Sequence, residues 1–528
     1  APGVQVEDKP RAGAVYLFWG RKGEFPSLLN PVTSADVVLN GNSEYEYISG
    51  PLTMRGDING DGLQDIVVGS NYVANAYVFF GRKSWNSSYI VQEDRDVYFS
   101  MEYMSENNIG TGDVNGDGID DLLIGAYLFY GRREWPDSLA PIKSDVTFIG
   151  GGAYAVSCSG DVNGDGFRDV LLGSPNKKID GISRGEAYIV YGSNNLAETI
   201  DLTSQSDVYF TSTELPGSNI GYAVANGADL NGDGLKDVVV TSPGSSGTAP
   251  YCGAAYIAFG SAQIPSLINL YTKAQVTIFG SYDSEFIGKA ISSDGDVNGD
   301  GIDDLIIGAQ GKAYCMFGRT DWPPVLEMVA EADSVLDEYG TFGESVCNGG
   351  DVNGDGIADI IVGDSFGGTM SGAAYVVFGS PLPLNLTVEK NIQRSDNNRI
   401  FQKGQKLRLD YAINPTYGTP PFDTGRRLEA VLGVQFNPSG DEPLEGGPIY
   451  VYKPGLTKLV PLPDDWRKIK PTFDNIAFPP MRNPYSGTIT FTVPGNANAY
   501  CFVGVIYDPA TGKFPAGVVR SNRFQIQQ

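Results

Sequence analysis

The sequence contains no histidine among its 528 residues. Without an imidazole there is no Ser-His-Asp or Cys-His catalytic machinery and no histidine-based zinc site. There is also no apolar run of about 18 residues, the length that a membrane-spanning helix needs, so we expect no membrane insertion. Basic residues are few: 37 Lys and Arg stand against 63 Asp and Glu, a formal net charge of −26. This balance disfavours nucleic acid and anionic membranes as partners.

Cysteine is scarce as well, and its spacing shows no pairs. Four of the five cysteines lie in or beside apolar strand patterns, and we interpret most of them as small buried residues rather than a disulfide framework. The five are Cys158, Cys252, Cys315, Cys347 and Cys501.

One nine-residue stretch, in contrast, occurs six times. The first copy runs from Asp57 to Asp65, and each copy reads D-[V/I/L]-N-G-D-G-x-x-D before an apolar run. Glycines at positions 4 and 6 allow a tight curl, which brings the oxygen atoms of positions 1, 3 and 5 together. The carbonyl of position 7 and the carboxylate of position 9 would complete an all-oxygen shell, which suits Ca²⁺ better than Zn²⁺ or Mg²⁺.

We therefore predict six Ca²⁺ sites; the alternative is six acidic turns without metal. An EF-hand would place its last ligand at position 12 between helices, whereas strands flank these loops. The predicted side-chain ligands are Asp57, Asn59, Asp61, Asp65, Asp113, Asn115, Asp117, Asp121, Asp161, Asn163, Asp165, Asp169, Asp229, Asn231, Asp233, Asp237, Asp296, Asn298, Asp300, Asp304, Asp351, Asn353, Asp355 and Asp359. The predicted carbonyl ligands are Leu63, Ile119, Phe167, Leu235, Ile302 and Ile357.

Each loop lies inside a larger repeat of about 48 to 68 residues. A short strand A precedes the loop, an apolar strand B follows it, strand C ends in an aromatic residue and Gly, and an outer strand D comes last. Residues 187–192, Ala-Tyr-Ile-Val-Tyr-Gly, are an example of strand C. Four antiparallel strands per repeat, arranged around a ring, are typical of a β-propeller.

These motifs carry a family resemblance. The pattern F/I-G-x-x-V before G-D-V-N-G-D-G, with G-A-x-Y-x-x-F-G after it, resembles the FG-GAP repeat of the integrin α-subunit propeller and of many secreted bacterial proteins. The resemblance covers roughly residues 1 to 380. It implies an all-β, calcium-stabilised, seven-bladed propeller in which each loop joins the first two strands of a blade. It also implies that positions 1, 3, 5 and 9 supply the side-chain ligands.

The number of blades exceeds the number of loops by one. Residues 14–20, Ala-Val-Tyr-Leu-Phe-Trp-Gly, form a seventh strand C without a loop before it. We expect residues 4–7 to be its strand B and residues 36–39 its strand D. Since sheet edges are hazardous, residues 381–400 or another molecule should supply the missing strand, and we favour the first.

The propeller pattern ends near Pro381. We assign residues 1–382 to the propeller and residues 383–528 to an immunoglobulin-like β-sandwich, because alternating apolar strands without calcium loops follow one another there. No residue motif identifies this second domain more closely.

Two short motifs invite a functional interpretation that we do not favour. Arg55-Gly56-Asp57 spells an integrin-ligand tripeptide, but the carboxylate of Asp57 is needed as a metal ligand. Trp85, Trp135 and Trp322 each follow Gly-Arg after strand C. Such aromatics could form sugar platforms, but we expect them to hold connections onto the blades.

The two faces of the ring should differ in their variability. In a meander the A–B and C–D connections share one face, the loop face, and the B–C and D–A connections share the other, the opposite face. The connections of the opposite face vary most in length, which is where recognition usually occurs. We predict that a partner docks there, near Asn176, Lys177, Tyr251 and Tyr282; the alternative is tolerated surface insertions.

Three functions agree with this sequence. The first is an extracellular, calcium-stabilised binding or adhesion protein whose partner is a protein or a glycan. The second is a subunit of a surface filament or layer, built from copies of itself through strand or sandwich contacts. The third is a carbohydrate-binding lectin or polysaccharide-active enzyme. We expect no catalysis, because calcium accounts for the clustered carboxylates, and we expect an extracellular or cell-surface location, because free calcium is scarce in cytosol.

Overall fold

The structure, a computed structural model, describes residues 5–380 with gaps at 7–8, 23–28, 71, 106–107, 213–216, 338–339 and 366–371. Beyond residue 380 it describes only the backbone of individual strands. The chain divides into two compact units, one of residues 1–297 and 302–379 and the other of residues 298–301 and 380–528.

The first unit is a seven-bladed β-propeller, as expected. Its first four blades contain β1 (Ala14–Leu17), β2 (Val37–Asn40), β3 (Ile48–Thr53), β4 (Ile66–Ser70), β5 (Asn75–Phe79), β6 (Ser88–Ile90), β7 (Val97–Ser100), β8 (Ile109–Gly112), β9 (Asp121–Ile124), β10 (Tyr127–Phe129), β11 (Ser138–Leu139), β12 (Val146–Ile149), β13 (Ala155–Gly160), β14 (Asp169–Ser174), β15 (Lys178–Ile179), β16 (Ile182–Ser183), β17 (Glu186–Val190), β18 (Thr199–Asp201) and β19 (Val208–Thr211). The last three contain β20 (Val224–Ala228), β21 (Asp237–Ser242), β22 (Ala254–Ala258), β23 (Leu267–Asn269), β24 (Val276–Phe279), β25 (Ile291–Gly295), β26 (Asp304–Ala309), β27 (Lys312–Met316), β28 (Val325–Glu327), β29 (Ser334–Asp337), β30 (Phe342–Gly350), β31 (Asp359–Asp364) and β32 (Ala373–Val377).

Strand B of each complete blade is apolar because neighbouring blades cover both of its faces. Every residue of β14, Asp169–Ser174, is buried. Leu171 and Ile189 of the fourth blade belong to the same apolar cluster as Val240 and Tyr256 of the fifth blade. The hydrophobic core of the ring is therefore a series of layers between adjacent blades.

The connection between strands C and D contains an element that the sequence pattern did not predict. In five blades it forms a short strand that pairs in parallel with strand D of the preceding blade: β6 with β2, β11 with β7, β18 with β12, β23 with β19 and β28 with β24. Each connection thus extends the neighbouring sheet. Short helical turns are part of these connections: α1 (Pro31–Ser34), α2 (Val91–Asp94), a 3₁₀ turn (Pro141–Lys143), α3 (Leu202–Gln205), α4 (Leu270–Lys273) and α5 (Met328–Glu331).

The first and last blades differ from the others. The first consists of β1 and β2 with the added β6, and the last consists of β30, β31 and β32. The expected strand B at residues 4–7 is wrong in the part that is described, because Val6 pairs only with Lys9; residues 4 and 7 lie outside the described residues. The Arg21 N–H donates to the Val352 carbonyl at 2.9 Å, so the first blade contacts the last one in the ring.

The second unit is also made of strands. They are β33 (Asn385–Glu389), β34 (Arg399–Gln402), β35 (Lys406–Ile413), β36 (Leu428–Asn437), β37 (Ile449–Val451), β38 (Val460–Pro461), β39 (Phe473–Ile476), β40 (Tyr485–Thr492), β41 (Ala499–Tyr507), β42 (Val518–Arg520) and β43 (Phe524–Gln527). They pair in a three-stranded and an eight-stranded sheet. An immunoglobulin-like sandwich stays a prediction. In the described part of the chain no helix is both long and apolar enough to cross a bilayer.

Candidate calcium loops and the opposite face of the propeller

Each nine-residue loop joins strand A to strand B of its blade and lies at the loop face. In the loop that begins at Asp113, the glycines at positions 4 and 6, Gly116 and Gly118, have φ angles of 74° and 86°. Only glycine adopts this left-handed backbone without strain. The tight curl that the spacing predicted is therefore present.

Side-chain carboxylates hold the curl from inside. Asp113 Oδ1 accepts from the Gly116 N–H at 2.7 Å, and its Oδ2 accepts from the Gly118 N–H at 2.9 Å. Asn115 Oδ1 accepts from the Asp117 N–H at 2.8 Å. Equivalent bonds recur in the loops that begin at Asp57, Asp161, Asp229 and Asp351. Positions 1, 3 and 5 are thus brought together around the inside of each loop.

The position 9 carboxylate is the buried member of each set. Asp169 is fully buried; its Oδ2 accepts from the Val162 N–H at 2.7 Å and its Oδ1 from the Gly192 N–H at 2.9 Å. Burial raises the pKa of Asp169 to about 7, although both N–H groups oppose the shift. The pKa values of Asp121 and Asp237 are raised to about 7 and that of Asp65 to about 6 for the same reason.

Neighbouring loops are joined to one another. The N–H at position 8 of one loop donates to the position 1 carbonyl of the loop before it, as Arg168 does to Asp113 at 3.0 Å. The indole N–H of Trp135 donates to the Ile58 carbonyl at 3.0 Å, and that of Trp322 donates to the Leu230 carbonyl at 2.8 Å. These two tryptophans therefore attach a connection to the loop of the preceding blade, as the packing interpretation predicted.

The donor set of the loops fits a calcium ion. Within the described residues, no group of three or more His, Cys, Asp or Glu side chains already has a metal-holding arrangement. Yet a carboxylate has about four lone-pair sites, and the hydrogen bonds above occupy only part of them. Each loop combines three carboxylates, one amide oxygen and backbone carbonyls, which is a hard all-oxygen set.

Arg55 and Asp57 of the tripeptide have separate structural roles. The Arg55 guanidinium forms an ion pair with Asp294 of the sixth blade, and a Cβ added at Gly349 of the seventh blade would collide with it. Asp57 accepts from the N–H groups of its own loop.

Three of the cysteines, Cys158, Cys252 and Cys315, are buried free thiols, as predicted, whereas the thiol of Cys347 is free and exposed; Cys501 lies outside the described side chains.

On the opposite face, the four residues predicted to meet a partner lie in different environments. Asn176 is exposed. The Lys177 ammonium is occupied, because it donates to the Gly150 carbonyl at 2.6 Å and lies 3.9 Å from Glu186. Tyr251 is exposed and lines a cavity of about 300 Å³. Tyr282 is exposed, with the Lys312 ammonium 5.1 Å from its ring centre.

Sequence reasoning missed three further exposed tyrosines on the same face. Tyr45 and Tyr103 lie in D–A connections and Tyr72 lies in a B–C connection, and with Tyr251 and Tyr282 they expose between 42% and 72% of their surface. Their position in the repeat was a usable signal, because every one falls between strands D and A or between strands B and C. Five of the described tyrosines on the opposite face are therefore exposed.

Sequence reasoning also missed buried glutamates on this side. The Tyr77, Tyr188 and Tyr314 hydroxyls donate to Glu46, Glu186 and Glu285 respectively, and all three glutamates are at most 5% exposed. Burial raises the pKa of Glu46. The repeated tyrosine in strand C was visible in the sequence, but its acidic partner comes from a D–A connection for Glu46 and Glu285 and from strand C itself for Glu186.

Comparison with known proteins supports this description. Five segments match the FG-GAP repeat: residues 107–134, 153–191, 220–257, 288–318 and 342–377. Each segment lies within one blade, and the seven-bladed unit is an FG-GAP β-propeller.

Integrin α-subunits are among the relatives. Integrin alpha-PS2 of Drosophila melanogaster is 28% identical over 218 residues, 37% of this chain and 14% of the relative. Integrin alpha pat-2 of Caenorhabditis elegans is 30% identical over 200 residues, 34% of this chain and 15% of the relative. Integrin alpha-4 of Xenopus laevis is 32% identical over 259 residues, 47% of this chain and 21% of the relative. The chain thus matches about a fifth or less of these relatives' lengths.

A solved structure covers more of the chain at low similarity. The V. cholerae biofilm matrix protein Bap1 covers 93% of this chain and 57% of its own, with 12% identity and a TM-score of 0.23. This similarity is too low to carry an argument about function.

Proposed function

We propose that this protein is an extracellular binding or adhesion module, stabilised by six Ca²⁺ ions, that recognises a protein or glycan on the opposite face of its propeller. The observation that carries the proposal is the contrast between the faces. The loop face repeats one polar structure, whereas five of the described tyrosines on the opposite face are exposed, on connections of unequal length. Tyrosine offers apolar contact area and a hydroxyl with few rotatable bonds, which suits recognition surfaces.

The buried position 9 carboxylates are the argument for the calcium part of this proposal. A buried carboxylate beside two others is unfavourable when ionised. Bound Ca²⁺ would offset that repulsion and would stabilise the folded ring, because the complete ligand set exists only in the folded loop. The residues that would hold each ion are those at positions 1, 3, 5 and 9 with the position 7 carbonyl.

The propeller is proposed to bind a partner rather than to catalyse a reaction. The chain has no histidine, and the carboxylates of the loops hold backbone N–H groups. The net charge of −26 suits an uncharged or basic protein surface or a glycan, and disfavours nucleic acid.

A binding screen tests the proposal. Calcium-loaded protein is applied to immobilised extracellular-matrix proteins and to a glycan array, beside a variant with Tyr72→Ser, Tyr103→Ser and Tyr251→Ser. We expect wild-type binding to at least one surface and loss of that binding in the variant. The control variant carries Leu267→Ser and Val325→Ser, two equally exposed residues of the outer strands β23 and β28. Equal loss in both variants, or protection from hydrogen exchange confined to the loop face, would refute the proposal.

One observation favours the second candidate, assembly from copies of this chain. Strand C is almost wholly buried in the second, fourth, fifth and sixth blades, whereas Tyr375 and Val376 of β32 in the last blade are exposed. Among the described residues, only β31 pairs with β32. Sedimentation of the wild type beside Tyr375→Ser tests this candidate: self-association that the substitution abolishes supports it, and a monomeric wild type at high concentration contradicts it.

A further inference from the structure

A cavity of about 310 Å³ lies between the first and second blades, where the D–A connection of the opposite face meets the C–D connection of the second blade. This volume is at the lower end of the range for small-molecule sites. Its walls include polar groups from both blades and two tyrosine rings, namely Glu46, Asn75, Tyr77, Gln92, Arg95 and Tyr98.

Arg95 is the unusual member of this set. Its guanidinium carbon lies 5.1 Å from the centre of the Tyr98 ring. Its Nε atom is buried and has no hydrogen-bond partner, and no carboxylate of the described residues lies within ion-pair distance of it. A buried donor without an acceptor is destabilising. The guanidinium also lines the cavity, so with no carboxylate partner among the described residues it is available to an anionic ligand there.

In the fourth and sixth blades, one lysine on this face lies beside a carboxylate. Lys177 lies 3.9 Å from Glu186, and Lys312 lies 3.4 Å from Asp337. These blades supply the carboxylate from within the chain. Among the described residues, the second blade supplies none for Arg95.

The strand register makes the contrast sharper. In the fourth blade, Ala187 of strand C pairs with Phe210 of strand D, and Glu186 is the residue before Ala187. In the second blade, Ala76 pairs with Phe99 in the same way, and Asn75 is the residue before Ala76. Glu186 and Asn75 are therefore equivalent positions at the start of strand C. In the fourth blade the hydroxyls of Tyr188 and Tyr209 both donate to Glu186. In the second blade the centres of the equivalent tyrosine rings lie 5.5 Å apart with the rings tilted, but an amide stands in place of the carboxylate.

The remaining groups of the cavity suit hydroxyl groups. Asn75 Oδ1 accepts from the Tyr98 hydroxyl at 2.9 Å, and the carboxylate of Glu46 accepts from Tyr77 and Gln92. These oxygens keep acceptor capacity, because a carboxylate and an amide oxygen each have further lone pairs. A ligand that carries hydroxyls beside a carboxylate would use both parts of the cavity.

We propose that this cavity binds a uronic acid residue, with the sugar carboxylate on Arg95 and the sugar hydroxyls on Asn75 and Glu46. A planar carboxylate matches the fork of a guanidinium. A phosphate dianion fits less well, since one cation faces it and the carboxylate of Glu46 lies in the same cavity. The inference rests on the proposed role of the opposite face and adds a ligand class to it.

Direct titration with monosaccharides tests the inference. D-glucuronate, D-galacturonate, D-glucose and acetate are titrated into the full chain with Ca²⁺ and followed by calorimetry or ligand-observed NMR. We expect one uronate to bind in the millimolar range, and both glucose and acetate to bind at least about tenfold more weakly. Arg95→Gln should weaken uronate binding about tenfold or more. Asn75→Glu should do the same, because it supplies the carboxylate in the way that Glu186 does.

The control variant is Arg133→Gln, an exposed arginine outside the cavity; its uronate affinity should equal that of the wild type. Unfolding temperatures of all variants are measured beside the titrations. Absence of uronate binding, equal binding of acetate, or unchanged affinity in Arg95→Gln would overturn the inference. A protein or polymer that still binds through the exposed tyrosines in that case would leave the proposed function standing, so the two failures are distinguishable.

Discussion

The two faces of this propeller are built in opposite ways. On the loop face, one nine-residue structure recurs, and backbone hydrogen bonds connect each loop to the next. On the opposite face, connections differ from blade to blade; one is the β15–β16 hairpin, and others are turns that carry exposed tyrosines. The difference indicates that stability is concentrated at the loops and that the other face is free to vary, which is the usual division between scaffold and recognition surface.

The comparison also extends to electrostatics. The carboxylates of the loop face are grouped by threes, and the position 9 member is buried in every loop. The buried glutamates of the opposite face instead lie apart from one another, and each contacts tyrosine hydroxyls or a lysine, as Glu186 and Glu285 do. A divalent cation is therefore expected to act strongly on the first face and weakly on the second.

The largest expected effect is that of calcium removal. Excess EGTA should lower the unfolding temperature of the propeller by about 10 °C or more, because each site contributes about 2.7 kcal/mol when Ca²⁺ is at 100 times its dissociation constant. Differential scanning calorimetry checks this. Mg²⁺ at the same concentration should not restore the transition, since it prefers a smaller octahedral site. An unchanged transition in EGTA would contradict the six calcium sites.

A second experiment separates the structural part of a loop from its metal-binding part. In EGTA, Asp169→Ala should destabilise the protein by about 3 kcal/mol, because two buried N–H groups lose their acceptor. Asp165→Ala, at an exposed position of the same loop, should change the free energy of unfolding by at most about 1 kcal/mol in EGTA. Both variants should lose part of the stabilisation by Ca²⁺. Equal effects in EGTA would show that the buried bonds do not matter.

A smaller effect is expected from Glu46 on the opposite face. Burial raises its folded-state pKa, so the folded state binds more protons than the unfolded state between the two pKa values. The resulting stabilisation is complete below the unfolded value, near pH 4, and is lost as the pH rises through the folded value. As the pH rises from about 4, the wild type should lose stability relative to Glu46→Gln. Urea unfolding at fixed Ca²⁺ measures this, and parallel pH profiles would contradict it.

The smallest effect is expected from the exposed tyrosines. Tyr103→Ser and Tyr251→Ser should change the free energy of unfolding by no more than about 0.5 kcal/mol, because exposed substitutions away from buried contacts are nearly neutral. Chemical unfolding in Ca²⁺ checks this against Asp169→Ala as the destabilised reference. A loss comparable to that of Asp169→Ala would mean that the opposite face is part of the scaffold after all.

Much of this architecture was predictable from local pattern. The spacing of Asp113 to Asp121 predicts a tight loop, and the apolar run after it predicts a buried strand, because both depend on residues close together in the chain. Seven copies of strand C predicted seven blades. The FG-GAP resemblance agreed with these expectations, and the described structure confirms the all-β propeller.

Other features depend on partners far apart in the chain, and only the tertiary structure determined them. Arg55 reads as part of a recognition tripeptide, yet ring closure brings it to Asp294. The short strand β6 belongs by sequence to the second blade and by pairing to the first. In the sequence, Arg95 is an ordinary basic residue of a turn. Only the strand register shows that the nearby Asn75 occupies the position at which the fourth blade has Glu186. The nine-residue pattern involves only neighbouring residues, so the sequence was enough to predict the loops and the strands beside them. Which polar groups form hydrogen bonds, and which stay available for a ligand, depends on contacts with distant residues that only the folded ring brings together.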